Sequence, residues 1–263
     1  MNRAIEELVT TYRTLGIDKQ LDYDRFYLYS LITHSTAIEG STITELENQI
    51  MFDNGISLKG KTLIEQHMNL DLKAAYERML ALARSGVDIT VARLIELAAL
   101  TMRNTGSTYH TALGDFSSAN GDLRLLNVTA GVGGRSYMAY NKVPARLQAL
   151  CDLLNAQRAR LGEMSVEERY AMSFDAHYHL VTIHPWADGN GRMARLLMNW
   201  LQFESGLIPS FVPSTEKEDY IKSLVATRET DDLEHFRRFM FGVLEDQLRR
   251  EIAQYERIIR TDD

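Results

Sequence analysis

His184-Pro185-Trp186-Ala187-Asp188-Gly189-Asn190-Gly191-Arg192-Met193-Ala194-Arg195 lies between two segments of helical periodicity, and its reading decides the fold. Pro185 disfavours the α conformation at the residue before it, so the preceding helix is expected to stop at His184 and leave an imidazole at its terminus. Gly189 and Gly191 flank Asn190, giving three residues that tolerate positive φ just before a new helix. There successive backbone N–H groups can turn toward one anion, and the helix N-terminus adds partial positive charge. Along the new helix Met193, Leu196, Leu197, Trp200 and Leu201 recur at i, i+3, i+4, i+7 and i+8 as a buried stripe. Arg192, Arg195 and Asn199 fall on another side, so both guanidiniums are expected to face the opening of the loop.

Outward from this segment, helix punctuation dominates. Thr44 with Glu47, Ser165 with Glu168 and Thr215 with Glu218 have capping-box spacing, and Asn54-Gly55, Ser85-Gly86 and Ser205-Gly206 supply stops. The spacing predicts helices over 2–15, 20–39, 45–53, 62–84, 90–104, 144–160, 166–183, 191–205, 216–229 and 233–260, a mainly α fold. Between the fifth and sixth, Thr105 to Val143 is rich in Gly, Ser and Asn. Leu125 to Thr129 and Ser136 to Tyr140, around Gly131-Val132-Gly133-Gly134, read as a β-hairpin on a function-bearing loop.

The 263 residues are 45% hydrophobic and 25% charged with four prolines, which excludes disordered, collagen-like and disulfide-scaffold classes. Lys and Arg number 29 against 36 Asp and Glu, a net charge of −7, so no nucleic-acid partner is expected and any phosphate site is local. Cys151, spaced with Leu147, Leu150 and Leu154, reads as a buried helical thiol. Met1 to Leu15 carries Arg3, Glu6 and Glu7 where a signal peptide would be apolar. No later run approaches the ~18 apolar residues of a membrane span, so a cytoplasmic location without membrane association is expected.

Two arginines, an amide nest, a carboxylate and a histidine together suit a polyphosphate with a metal ion. Arginines hold phosphate oxygens, Asp188 offers Mg²⁺ a hard oxygen, and His184 handles a proton, so a nucleoside triphosphate is the expected ligand. His177 and His179 point roughly 200° apart on a helix, cannot share an ion and read as structural. The stripe Leu233, Phe236, Met240, Leu244, Leu248, Ile252, Tyr255 and Ile259 predicts a long final helix, whose charged end from Arg249 to Arg260 is expected to overhang and serve a homo-oligomer contact.

The signature resembles that of the Fic family, H-P-F-x-(D/E)-G-N-G-R-x-x-R between two helices, with Trp186 the single departure. Gly121-Asp122-Leu123-Arg124, the hairpin around Gly131 to Gly134, and Tyr220 resemble the family's leading loop, target-positioning flap and nucleotide-side tyrosine, covering roughly residues 95 to 245. Ser35-Thr36-Ala37-Ile38-Glu39-Gly40 resembles the inhibitory (S/T)xxxE(G/N) motif, with Ser35 and Glu39 stacked at i and i+4. The resemblance implies a Fic-type helical bundle, with residues 1–94 carrying the inhibitory motif and residues 95–263 forming the Fic domain. It implies a protein adenylyltransferase that moves AMP from ATP, with Mg²⁺, to a Ser, Thr or Tyr hydroxyl of a target. His184 would be the base and Asp188 the metal ligand; Gly189, Asn190, Gly191, Arg192, Arg195 and Tyr220 would hold the nucleotide. Arg135, Ser136, Tyr137 and Met138 would be the flap, and Glu39 would pair with Arg195 while Ser35 bonds toward the Asn190 loop. Removal of AMP from a modified protein by the same residues, nucleotide sensing with weak catalysis, and a different diphosphate-containing donor remain open at this level.

Overall fold

The computed structural model describes residues 3–20, 23–130 and 136–262. Among them lie ten α-helices and one two-stranded sheet. These are α1 (Arg3–Thr14), α2 (Tyr23–Ile38), α3 (Glu45–Asn54), α4 (Leu63–Ser85), α5 (Val91–Met102), β1 (Thr108–Thr111), β2 (Gly114–Ser117), α6 (Val143–Arg158), α7 (Val166–Ile183), α8 (Asn190–Glu204), α9 (Lys217–Thr230) and α10 (Glu234–Asp262). Each expected helix is present within a few residues of its expected ends, because its punctuation is local. Thr44 and Ser165 close capping boxes with Glu47 and Glu168, as does the unanticipated pair Thr62 and Glu65. The Thr215–Glu218 box does not form. Ser214–Glu216 makes a 3-10 turn after Pro213, which takes Thr215 out of the extended conformation an N-cap needs, and α9 begins without a side-chain cap.

The antiparallel ladder lies earlier than the expected hairpin, pairing Thr108 with Ser117 and Thr111 with Gly114. At the expected position the described legs form an antiparallel Thr129–Ser136 bridge, with Tyr137 N–H donating to Val128 O at 2.9 Å and Tyr140 N–H to Asn127 Oδ1 at 3.0 Å. Arg135 and Gly131 to Gly134 lie outside the described residues.

Two apolar clusters make the core, and α7 and α8 contribute to both. One joins Leu31 and Ile32 of α2 to Tyr76, Leu97, Leu147, Leu180 and Trp200. The other joins Ile5 and Tyr12 of α1 to Phe174, Met198, Phe236 and Leu244. Each cluster therefore draws on residues both before and after position 94. Helix α8 is buried on the side expected to be open as well as on its apolar stripe. Tyr76 of α4 donates to Asn199 Oδ1 at 2.6 Å, and α2 covers Arg195. Nor does the last helix overhang from Arg249: Glu251 accepts hydrogen bonds from Tyr12 and Tyr27, and Leu248 and Ile252 are buried against α1 and its neighbours. Only further on do Ile258 and Ile259 become exposed. Cys151 is buried and its thiol is pushed up to about 11 by that burial. No helix among the described residues is long and apolar enough to cross a membrane.

His177 is fully buried, stacked on Phe236 with ring centroids 5.0 Å apart, and its Nε2 hydrogen-bonds Tyr220 Oη at 3.0 Å. Burial holds it neutral, down to about 3; His184 is likewise held down to about 4, and His179 below its usual range. These imidazoles stay neutral in the folded chain, whereas the unfolded chain takes up protons as pH falls through about 6.5. Their effect on stability is therefore nil above about pH 6.5 and increasingly unfavourable from there down toward pH 4. The thermal midpoint should fall over that window, and His177→Gln should flatten the slope; a midpoint independent of pH between 7 and 5 would contradict the burial argument.

Candidate active site

Helix α7 ends where Pro185 requires. His184 is its C-cap, in the left-handed region at φ 53° and ψ 63°, with its N–H on Leu180 O at 3.0 Å. The loop that follows is closed by its own side chains. Asn190 Oδ1 accepts from Trp186 N–H at 3.1 Å and Asn190 Nδ2 donates to Trp186 O at 2.9 Å. Buried Trp186 donates its indole N–H to Gly121 O at 2.9 Å, a bond a phenylalanine could not make. Of the three residues expected to use positive φ, only Gly189 does, at 82°. Gly191 is helical, and its lack of a side chain serves a different purpose: a Cβ there would sit 2.8 Å from Glu39 Oε1 and 3.1 Å from Arg195 Nη1. Exposed Asp188 accepts from Gly189 N–H at 2.6 Å and stands 3.8 Å from Arg192 Nη2.

The two arginines do not face open solvent. Arg195 is 3% exposed and fully engaged with the end of α2. Its Nε donates to Ser35 Oγ at 2.8 Å, and its Nη2 donates to Ser35 O at 3.0 Å and to Glu39 Oε1 at 2.6 Å. Burial pushes the Glu39 carboxyl upward, but the Arg195 charge outweighs it and holds the group below the usual range. Ser35 thus reaches Arg195 and not the Asn190 loop, because Asn190 has spent its amide on Trp186. Arg192, equally buried, finds weaker partners: Thr101 O at 3.4 Å, Met102 Sδ at 2.9 Å and no partner for Nε among the described residues. Burial lowers its pKa. An under-paired buried cation beside a helix N-terminus is an anion site in physical terms.

His184 stands at the other end of the same loop. Its Nδ1 lies 3.3 Å from Val181 O, and since a carbonyl only accepts, Nδ1 carries the proton and Nε2 keeps a free lone pair. Tyr137 stacks on the imidazole with centroids 3.7 Å apart, and Arg228 lies over the other ring at 5.6 Å. Local sequence reasoning did not anticipate that stack, nor the part played by Arg124. Arg124 is fully buried; it donates through Nε to His184 O at 2.7 Å, through Nη1 to Leu126 O at 2.7 Å and through Nη2 to Met138 O, and its own N–H meets Pro185 O at 3.0 Å. One guanidinium thereby ties the histidine to both legs of the loop that carries Tyr137. Of the remaining flap residues, Ser136 is exposed with its carbonyl accepting from Arg228, and Met138 packs against the larger core cluster. Tyr220 is buried beneath Arg195, its hydroxyl on His177. No cluster of three or more His, Cys, Asp or Glu side chains suited to a metal ion occurs among the described residues.

Residues 88–202 match the family described as the Fic/DOC family. The chain is 28% identical over 233 residues to a protein adenylyltransferase fic-1 of Caenorhabditis briggsae, covering 88% of this chain and 42% of that protein. It is 28% identical over 217 residues to a protein adenylyltransferase Fic of Drosophila melanogaster, covering 82% and 40%. The chain thus spans about two fifths of the length of the curated relatives it matches. Among solved structures, a Fic domain containing signaling protein from Bacteroides thetaiotaomicron superposes with a TM-score of 0.77 at 20% identity, covering 96% of this chain and 97% of that one. Fic-1 from C. elegans gives 0.71 at 22%, covering 95% and 71%. These two show a shared fold.

Trp186→Phe tests whether the loop is held from Gly121. It removes one buried donor and leaves a buried carbonyl unpaired, so urea unfolding should show a loss of about 1–3 kcal/mol. Stability equal to wild type would mean that the indole N–H contributes nothing.

Proposed function

We propose that this chain, a member of the Fic/DOC family through residues 88–202, is a protein adenylyltransferase held in check by its own Glu39. The observation that carries the reading is the pairing across one short loop of a neutral imidazole with a free Nε2 and a buried arginine short of partners at a helix N-terminus. In this reading residues 1–94 carry the inhibitor and residues 95–263 the transferase. A reducing, cytoplasmic setting goes with it, supported by the single buried thiol.

The chemistry asks for few groups. A target Ser, Thr or Tyr hydroxyl oxygen attacks the α-phosphorus of ATP while its proton passes to His184 Nε2. The bond from that phosphorus to the bridging oxygen breaks, and pyrophosphate leaves. Asn190 and Gly191 offer backbone N–H groups to the phosphates, Gly189 adds its own on leaving Asp188 Oδ1, and Arg192 meets their charge. Arg195, once released by Glu39, does the same for the outer phosphates, and Tyr220 supports Arg195 from beneath. Asp188, exposed and 3.8 Å from Arg192 Nη2, would hold Mg²⁺ together with phosphate oxygens, the usual arrangement for an ion that keeps few protein ligands. Bound Mg²⁺ would neutralise phosphate charge. The legs carrying Thr129 and Ser136 would offer backbone groups along which a target segment is aligned, with Tyr137 giving way from His184 as it docks.

Incubation with ATP and Mg²⁺ followed by intact-mass measurement should show the gain of one AMP on the chain or on a target; no adduct under any condition, Glu39→Gly included, would defeat the proposal. His184→Ala should cut transfer by ~10²–10⁴ while nucleotide binding persists, and the acid limb of kcat/KM in the wild type should lie near pH 4 and not near 6.5. Near-normal transfer by His184→Ala would remove it from the mechanism. Glu39→Gly should raise transfer by roughly ten- to a hundredfold, the value of a charge-assisted hydrogen bond; equal rates would return Ser35–Glu39 to being an ordinary helix end.

A further inference from the structure

The contact that holds Glu39 on Arg195 is made by a carboxylate still 35% exposed. What keeps the last turn of α2 in place is a polar cluster on a different face of that turn, buried in the core and used by no step of the chemistry. Thr36, Asn48 and Asn69 are all 0% exposed, and Thr33 and Ser41 are also buried. Asn69, in the second turn of α4, fills its whole hydrogen-bonding capacity there. Its Oδ1 accepts from Thr36 Oγ1 at 2.8 Å and from Asn48 Nδ2 at 2.9 Å; its Nδ2 donates to Ser41 Oγ at 3.1 Å and to Glu65 O at 2.9 Å. Asn48 Nδ2 also reaches Thr33 Oγ1 at 2.8 Å. Asn69 therefore grips the chain on both sides of Glu39, three residues before it and two after, while the backbone closes the same stretch through Glu39 N–H and Ser41 N–H on Thr36 O at 3.0 and 3.1 Å.

Asparagine is a poor helix former, and an aliphatic side chain would pack an interior position of α4 with no partners to satisfy. Its presence ties the stability of the core to one position of the α2 terminus. If that terminus lifts so that Glu39 leaves Arg195, the Asn69 amide loses a donor and an acceptor partner inside the core, where a polar group left unmade bears its full desolvation penalty. We infer that Asn69 is a positioning residue for the inhibitory carboxylate, setting through Thr36 and Ser41 how readily Glu39 leaves Arg195. The inference rests on the inhibitory reading of Glu39.

The test compares Asn69→Ala and Thr36→Val, each alone and combined with Glu39→Gly, by ATP-dependent transfer and by amide hydrogen exchange over residues 33–41. Asn69→Ala alone should raise kcat about fivefold or more with little change in KM for ATP, and Thr36→Val should raise it less. Both should add almost nothing once Glu39 is Gly, and exchange over 33–41 should quicken in both single variants. A merely structural role would instead lower transfer by the same factor in both backgrounds, and that result, or unchanged exchange over 33–41, overturns the inference. If Asn69→Ala does not melt cooperatively, the shape-preserving Thr36→Val carries the test alone. Faster exchange over 33–41 with no transfer in any variant, Glu39→Gly included, would reject the adenylyltransfer reading while leaving the hold of Asn69 on the α2 terminus standing; measurable transfer that Glu39→Gly does not raise would overturn the inference together with the inhibitory reading it rests on.

Discussion

Arg195 carries a full positive charge inside helix α8 at 3% exposure, and much of the surrounding architecture answers that burial. A guanidinium taken out of water costs several kcal/mol unless its donors find acceptors and its charge finds an opposite. Helix α2 supplies both from one turn, with the Ser35 hydroxyl, the Ser35 carbonyl and the Glu39 carboxylate. Gly191 leaves the space for that carboxylate, and Tyr220 with His177 closes the other side. The seating of the end of α2 against α8 serves the same demand, because a displaced α2 would leave the arginine without these partners. A charge whose resting partner is borrowed from another helix is open to competition from any anion that offers more oxygens, and polyphosphates do.

The opposite half of the site is built on a second buried arginine with a different task. Arg124 binds only carbonyls, and those carbonyls belong to His184, Leu126 and Met138. The histidine and the loop bearing Tyr137 are thus referred to one rigid group, while the Tyr137 ring itself lies between the His184 imidazole and the Arg228 guanidinium. The imidazole is thereby held in one orientation. Burial keeps the imidazole neutral, so it is ready to accept a proton across the ordinary pH range.

Much of this was legible in the chain itself. The helix limits depend on residues a few positions apart, such as Thr44 with Glu47 and Ser165 with Glu168, and they emerge near their expected places. The failure at Thr215 has an equally local cause in Pro213. The Ser35–Glu39 and signature motifs could be matched to Arg195 because an i, i+4 acid and an unpaired arginine have complementary chemistry. The hairpin around Gly131 to Gly134 could be read from turn composition, and the antiparallel Thr129–Ser136 bridge lies where its legs were expected, whereas the Thr108 to Ser117 ladder was missed because so short a pairing is visible only once formed.

What the chain determined alone was helix order, the stop at His184 and the residue types that converge on the loop, all consequences of backbone preference and short-range spacing. What only the tertiary structure decided was which of those residues spend their polar groups on one another. Asn190 turns inward to Trp186, Gly191 serves space and not φ, Trp186 reaches Gly121 across 65 positions, and Arg195 reaches Ser35 across 160. Asn69 binding Thr36 and Ser41 from α4 belongs to the same class. Hydrogen bonds are satisfied over about 3 Å of space whatever the distance along the chain, so their partners are fixed only when the helices pack.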